Sequence, residues 1–130
     1  MVQDRRIAEM FDTVEWIEST PVFRAYKIME VVDGSNKTLF HALNGSRTVP
    51  RERWLKANNV MCKDGTSKTS YLSGWHVLPT REECEAYLKS FKKRLEILEI
   101  VECHVMDLRC KEHSPSNVWL SNHILINEVN

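Results

Sequence analysis

A nucleotide-like ligand needs aromatic rings that stack on its base and an arginine that binds a phosphate through a bidentate fork. Five residues, His41, Arg47, Tyr71, Trp75 and His76, supply such groups. If the strand predicted over residues 71–78 lies beside the hairpin that ends near residue 43, these side chains line one cleft and predict a ligand site. The alternative is that Tyr71, Trp75 and one histidine are packing residues, because aromatic side chains on strands are usually structural.

Residues 103–113 contain four residues of the types that bind metals, Cys103, His104, Cys110 and His113. Cys103 and His104 are adjacent on a predicted strand and point to opposite faces, so both cannot readily bind one ion. Cys110 and His113 have the spacing of half a zinc site, without an obvious second half. We therefore expect no metal, and free thiols in a reducing compartment.

The thiols are also poor candidates for catalysis. Cys84 falls on the apolar stripe of a predicted helix, where a thiol is packing. Cys62, next to Lys63, is a better candidate for a lowered thiol pKa, but loop thiols of this kind are usually incidental. The sequence contains no G-x-S-x-G elbow, no glycine-rich phosphate loop and no H-E-x-x-H pattern. We predict no catalytic residue and no cofactor.

The elements that position these groups are clearest between residues 71 and 95, where a strand runs through a Pro-Thr turn into a helix over about 80–95. Thr80, with Glu83 three residues on, fits a capping box. The helix has one apolar stripe: Cys84, Tyr87, Leu88, Phe91 and Leu95.

A first helix is predicted over residues 3–18, and we expect its apolar face to pack on its own sheet. Residues 22–32 and 37–43 surround an Asp-Gly turn and predict a hairpin with a four-residue connection. Pro50 is suited to begin a short helix or turn that contains Trp54 and Leu55. The apolar face of the first helix comprises Ile7, Met10, Phe11, Val14 and Ile17.

The remaining elements are two strands, over residues 97–108 and 118–126, the first with Val101, Cys103 and Val105 on one face. The element order predicts an α+β fold with a mainly antiparallel sheet and one capped amphipathic helix packed on it. At 130 residues the chain is expected to be a single domain, with residues 1–20 added to a core of 22–126.

The amino-acid composition limits the classes of molecule that the chain is expected to bind. The 18 basic and 18 acidic residues balance, so no global field attracts nucleic acid or an anionic membrane. The charges are unevenly distributed along the chain, however. The first twenty residues are net acidic, and residues 37–56 contain five basic residues and one acidic residue, Glu52. The basic segment forms either a basic binding face or a solvated loop. No apolar run approaches the roughly 20 residues of a membrane span, and no signal peptide is apparent. We expect a soluble, intracellular chain.

Segments of the sequence also resemble two kinds of known protein. LFHAL and SGWHVLPTREECEAY, followed by LEIVECHV, resemble a reduced ADP-ribosyltransferase-like layout. That resemblance implies an NAD-using enzyme in which His41 binds the nicotinamide ribose, Tyr71 stacks, and Glu102 or Glu128 is the catalytic glutamate. The chain departs from the family because LFHAL lacks the glycine that typically follows the histidine, and because no glutamate lies in a recognisable motif.

The second resemblance spans roughly residues 25–126. The succession AYKIMEVVDG, LFHALNGSRTVP, YLSGWHVLPTREECEAYL and NVWLSNHILI is similar to small uncharacterised accessory proteins encoded by bacteriophages and prophages. It implies no activity, only a setting in which small domains bind and disable a host or defence component.

We therefore predict a binding protein that acts stoichiometrically in the bacterial cytoplasm on a host or defence protein or on a nucleotide-like ligand. The alternatives are the NAD-using enzyme and weak nucleic-acid binding through the basic loop of residues 47–56. No membrane partner is expected, and homo-oligomerisation stays open. The predicted contact residues are His41, Arg47, Arg51, Arg53, Trp54, Tyr71, Trp75 and His76.

Overall fold

The computed structural model describes residues 5–32, 35–37, 48–50, 52–57, 61–63, 70–89, 98–111 and 117–127. These residues form an eight-stranded sheet, a separate two-stranded sheet and two short helices, with antiparallel pairing between the described strands, which confirms the predicted α+β fold. The elements are α1 (Arg5–Met10), β1 (Thr13–Ile17), β2 (Thr20–Val32), β3 (Ser35–Lys37), β4 (Thr48–Val49), β5 (Trp54–Lys56), β6 (Met61–Lys63), β7 (Ser70–Leu72), β8 (Trp75–Val77), α2 (Arg81–Leu88), β9 (Leu98–Cys110) and β10 (Trp119–Ile126).

Three long strands, β2, β9 and β10, form the centre of the sheet. β2 pairs antiparallel with β9, where Phe23 lies opposite Val105, and β9 pairs antiparallel with β10. Alternate residues of β9 are buried, including Val101 and Cys103, as the period of two in the sequence predicts.

The sheet closes on itself through β8. One edge of β10 pairs with β8 near Trp119 and with β5 near Ile124. Immediately after β8, the amide of Leu78 donates to the carbonyl of Tyr26 on β2 (2.8 Å), and the amide of Tyr26 donates back to Leu78 (2.9 Å). The ring of strands β2, β9, β10 and β8 therefore encloses the main apolar core.

The N-terminal segment packs on this core, as expected, but mostly not as a helix. Ile7 and Phe11 are buried, and the Phe11 ring meets Trp119 edge-on at 5.8 Å. The helix predicted over residues 3–18 is wrong beyond Met10, because residues 13–17 form β1 and pair with β2. Ile17, expected on the apolar helix face, is exposed.

Three other elements differ from expectation. Pairing between β2 and β3 continues to Val32 and Ser35, which leaves two residues between the strands rather than four. The segment after Pro50 forms strand β5 instead of a helix, because Leu55 pairs with Ile124 and is buried. The strand predicted over residues 71–78 is two strands, β7 and β8, that pair with different partners.

Helix α2 begins as the sequence predicts. The Thr80 hydroxyl accepts a hydrogen bond from the amide of Glu83 (3.1 Å) and lies 3.4 Å from the Glu83 carboxylate. Cys84 is fully buried against the outer face of the sheet, where Ile28 and Leu78 lie in the same apolar cluster. The helix ends at Leu88, and residues 90–97 lie outside the described part of the chain. Neither helix of the described residues is long and apolar enough to cross a membrane.

Candidate functional site

The structure places two of the five predicted cleft residues inside the fold. Trp75 is 1% exposed and belongs to the main core, and His76 is 7% exposed with its backbone paired to Leu120 of β10. Both positions fit the packing alternative. Tyr71 lies on β7, and its side chain is outside the described part of the structure, as are residues His41 and Arg47. A shared cleft of these five therefore stays a prediction.

The predicted basic contact region is described only in part. Arg53 is exposed, Trp54 is half-buried at the start of β5, and Lys56 is exposed on the same strand. Arg51, like Arg47, lies outside the described residues. Because β5 pairs with β10 along one edge, it presents these cations at the rim of the sheet. Nucleic-acid binding through this region stays a prediction.

Glu102, proposed from the ADP-ribosyltransferase resemblance, is engaged with two neighbours. Its carboxylate lies 3.6 Å from Nε of Arg24 and accepts a hydrogen bond of 2.8 Å from Nδ2 of Asn127. The alternative glutamate, Glu128, lies outside the described residues. This ion pair and hydrogen bond position Glu102 on the outer face of β9.

A buried lysine is the chemical feature that the sequence analysis missed. Lys27 on β2 is 2% exposed, and its ammonium donates a 2.9 Å hydrogen bond to the backbone carbonyl of His76 on β8. Burial lowers the pKa of Lys27 to about 8, a fall that the neighbouring thiols of Cys103 and Cys84 oppose. The signal was present in the sequence, because Lys27 lies between Ala25 and Met29 on the inward face of a strand with period two.

The cysteines near Lys27 are free thiols in packing positions. Burial raises the pKa of Cys84 to about 12 and raises that of Cys103 further. Both therefore stay protonated near neutral pH, which makes them poor nucleophiles. In the described part of the chain, no group of three or more His, Cys, Asp or Glu side chains is arranged to hold a metal ion.

A surface cleft of about 350 Å³ lies between the base of the β1–β2 hairpin and the start of α2. The Arg81 guanidinium lies 5.5 Å above the centre of the Tyr26 ring, and Arg24 lies 3.7 Å from Asp12. Two arginines and two carboxylates balance, so the cleft offers polar contacts and an aromatic plane without net charge. Its lining is Met10, Asp12, Arg24, Tyr26, Pro79, Thr80, Arg81 and Glu82.

Beside this cleft, the outer part of the β1–β2 hairpin, residues 15–21, projects beyond the last pair of β2 with β9. We call these residues the hairpin tip. Its two strands are joined by two residues, since Ile17 pairs with Thr20, and Glu18 has a left-handed φ of 55°. Trp16 is 64% exposed and Ile17 is 38% exposed, so an indole and an aliphatic side chain face solvent on this two-stranded hairpin.

The hairpin tip and the segment that precedes it are also acidic. The segment from Ile7 to Thr20 contains Glu9, Asp12, Glu15 and Glu18 and no lysine or arginine, and all four carboxylates are on exposed residues. An exposed indole among carboxylates is suited to contact an apolar and basic surface of another molecule.

Comparisons with protein-family models, with curated proteins and with solved structures found no match to this chain.

Proposed function

We propose that this chain is an accessory binding protein of the phage or prophage type, which binds a host or defence protein stoichiometrically in the bacterial cytoplasm. The observation that carries the proposal is the exposed Trp16 at the hairpin tip. The setting is inferred from the resemblance of residues 25–126 to phage accessory proteins.

An exposed tryptophan on a strand is suited to binding. Full burial of such a side chain removes roughly 150–250 Å² from water, and tryptophan is enriched among the residues that contribute most to protein interfaces. Trp16 lies opposite Pro21 on the neighbouring strand, so these two side chains share one face of the hairpin, while Ile17 points to the other face. The hairpin holds them in place before any partner arrives, which lowers the ordering cost of binding.

The state of the candidate catalytic groups also supports binding rather than turnover. The Cys84 and Cys103 thiols are buried with raised pKa values, and Glu102 is engaged by Arg24 and Asn127. The cleft at the hairpin base offers a second contact region, where the Arg81 guanidinium lies over the Tyr26 ring.

The test is capture of a partner by the tagged chain from a bacterial lysate, followed by size-exclusion chromatography and intact-mass measurement of the eluted complex. We expect one host protein in an integral ratio to the chain, with reconstituted complex that persists on dilution to micromolar concentration. A chain that elutes alone from every lysate overturns the proposal.

A parallel assay addresses the enzyme alternative. The same preparation is incubated with NAD, and release of nicotinamide is measured for the wild type and for Glu102→Gln. The binding proposal predicts no release by either protein. Release that Glu102→Gln abolishes would replace it with the ADP-ribosyltransferase-like function.

A further inference from the structure

We infer that the free edge of β1 accepts an extended segment of the partner protein, rich in Lys or Arg and apolar residues, by strand addition. The inference rests on the proposed function and specifies the partner's chemistry and its mode of docking. Its elements are the direction of the backbone groups at the hairpin tip, the exposed indole and the local charge.

On the edge of β2 that faces away from β1, the hairpin tip has no backbone N–H donor at Pro21. The amides of Arg24 and Tyr26 point toward the β1 and β8 side, where they donate to Asp12 (2.8 Å) and Leu78 (2.9 Å). Because backbone groups alternate between the two edges of a strand, the nitrogen of Pro21 points the opposite way. Proline has no N–H, so this edge of the hairpin is a poor template for another strand.

The outer edge of β1 is different. By the same alternation, the amide of Val22 points toward β1, so Val22 and Glu15 form the hydrogen-bonded pair, as do Thr20 and Ile17 at the closing turn. The backbone N–H and C=O of Trp16 therefore point away from β2. Among the described strands, β1 pairs with β2 alone, so this donor and acceptor lie on an open edge.

Charge selects the chemistry of the added strand. Glu15 and Glu18 flank the open groups of Trp16, and lysine or arginine opposite them gains cross-strand attraction. A second copy docked through its own β1 would instead place glutamates against glutamates. The same carboxylates repel nucleic acid, so the occupant that we infer is a basic segment of a different protein.

The inference can be tested without a lysate, using a blocked eight-residue peptide that alternates lysine and valine and a counterpart that alternates glutamate and valine. Amide hydrogen exchange is followed by NMR on the full ¹⁵N-labelled chain. The lysine peptide should slow exchange of the Trp16 amide at least about tenfold at saturation, because that amide gains an acceptor, and the glutamate peptide should leave it unchanged.

Variants locate the contact. The double variant Glu15→Lys/Glu18→Lys and the single variant Trp16→Ala should each weaken peptide binding by at least about tenfold. Matched controls are Glu99→Lys, a charge reversal at an exposed site on β9, and Leu72→Ala, a truncation of another exposed apolar side chain. Both should bind within twofold of the wild type, and thermal melts should show that all four variants fold.

Three results overturn the inference: equal binding of the two peptides, an unprotected Trp16 amide, or equal weakening by the control variants. A concentration-dependent dimer that Arg53→Glu/Lys56→Glu abolishes would assign the β1 edge to the basic strand β5 of a second copy, and so would also overturn it. If a lysate partner is captured but these variants do not affect it, the docking mode fails while the proposed function stands. If the peptide binds as expected but no lysate protein is captured, only the proposed function fails.

Discussion

The buried Lys27 gives the fold a specific dependence on alkaline pH. Its pKa in the folded chain is about 8, against an ordinary value near 10.5. Between these values the unfolded chain holds a proton that the folded chain has released, so the free energy of unfolding rises with pH across this window. At about 1.4 kcal/mol per pH unit, the rise from pH 7 to pH 10.5 amounts to about 3 kcal/mol from this one group.

The buried thiols act in the opposite direction. Cys84 ionises near pH 9 when unfolded but only at about 12 when folded, and the raised pKa of Cys103 has the same sign. Above pH 9 the folded chain therefore keeps protons that the unfolded chain loses, and stability falls. The wild-type protein should accordingly be most stable near pH 9.

Substitution of Lys27 by Met isolates the lysine, because the variant keeps both thiols. Near pH 7 the variant loses the hydrogen bond to the His76 carbonyl, which destabilises it by about 1–3 kcal/mol. It also lacks the buried charge of the lysine, whose desolvation destabilises the wild type. Because these two effects oppose each other, the two proteins should have similar stability at this pH. As the pH rises to 10.5, the wild type should become more stable than the variant by about 3 kcal/mol relative to that starting point.

The measurement is urea unfolding followed by tryptophan fluorescence, under reducing conditions, at intervals from pH 7 to pH 10.5. Lys56→Met, at an exposed position on β5, is the matched control and should show a constant difference from the wild type. A constant difference for Lys27→Met as well would refute the claim that the Lys27 ammonium is desolvated in the folded chain.

Three further predictions concern local structure. Thr80→Ala should lower the free energy of unfolding by about 1 kcal/mol in urea melts, because it removes the N-cap of α2; an unchanged midpoint would contradict the cap. Gly74→Ala should lower the free energy of unfolding by about 1–3 kcal/mol, because the added Cβ would lie 2.9 Å from the carbonyl oxygen of Ser121 and 3.0 Å from Nη2 of Arg109. An unchanged free energy of unfolding would show that the backbone at Gly74 moves easily. Glu18→Gly should raise the thermal midpoint, because glycine adopts the left-handed φ of 55° without strain, whereas Ser19→Gly should not; similar shifts for both would argue against strain at Glu18.

The parts of the fold that were predictable are those with an unambiguous local period or cap. In β9, Val101, Cys103 and Val105 alternate with more polar residues, and this alternation admits only a half-buried strand. The N-cap of α2 was likewise readable from Thr80 and Glu83, because a capping box depends on two residues at fixed spacing.

The secondary-structure predictions that were wrong concern segments whose conformation depends on strands distant in the sequence. Val14 and Ile17 fit a helical stripe with Phe11, yet residues 13–17 are also prone to form strands, and pairing with β2 decides the outcome. Trp54 and Leu55 become a strand because β10, far along the chain, offers them an edge. The stretch 70–77 divides because Arg109 of β9 donates to the carbonyls of Leu72 (2.7 Å) and Ser73 (2.6 Å), a contact that no local pattern encodes.

For the candidate sites, the sequence identified residue types that are suited to ligand binding but not their exposure. Trp75 and His76 have the same chemistry as a ligand-binding pair, and only the pairing of β8 with β10 shows that they lie inside the sheet. Trp16, by contrast, lies within the predicted first helix, whose acidic character makes it a candidate contact surface, but the sequence does not predict that the indole itself is exposed. Exposure of an aromatic residue follows from which strands cover it, and that depends on the whole topology.

The closed ring of strands has a consequence for how the chain is made. The pairing of β2 is complete only after β8 and β9 have been synthesised, and the ring encloses a core only after β10 has joined. Little of the fold can therefore be stable until translation has passed Ile126. At about 5–20 residues per second, β2 waits on the order of 5–20 seconds with its apolar face uncovered. Synthesis of this protein should therefore depend on chaperones, and chains released before β10 should be degraded rather than accumulate as active fragments.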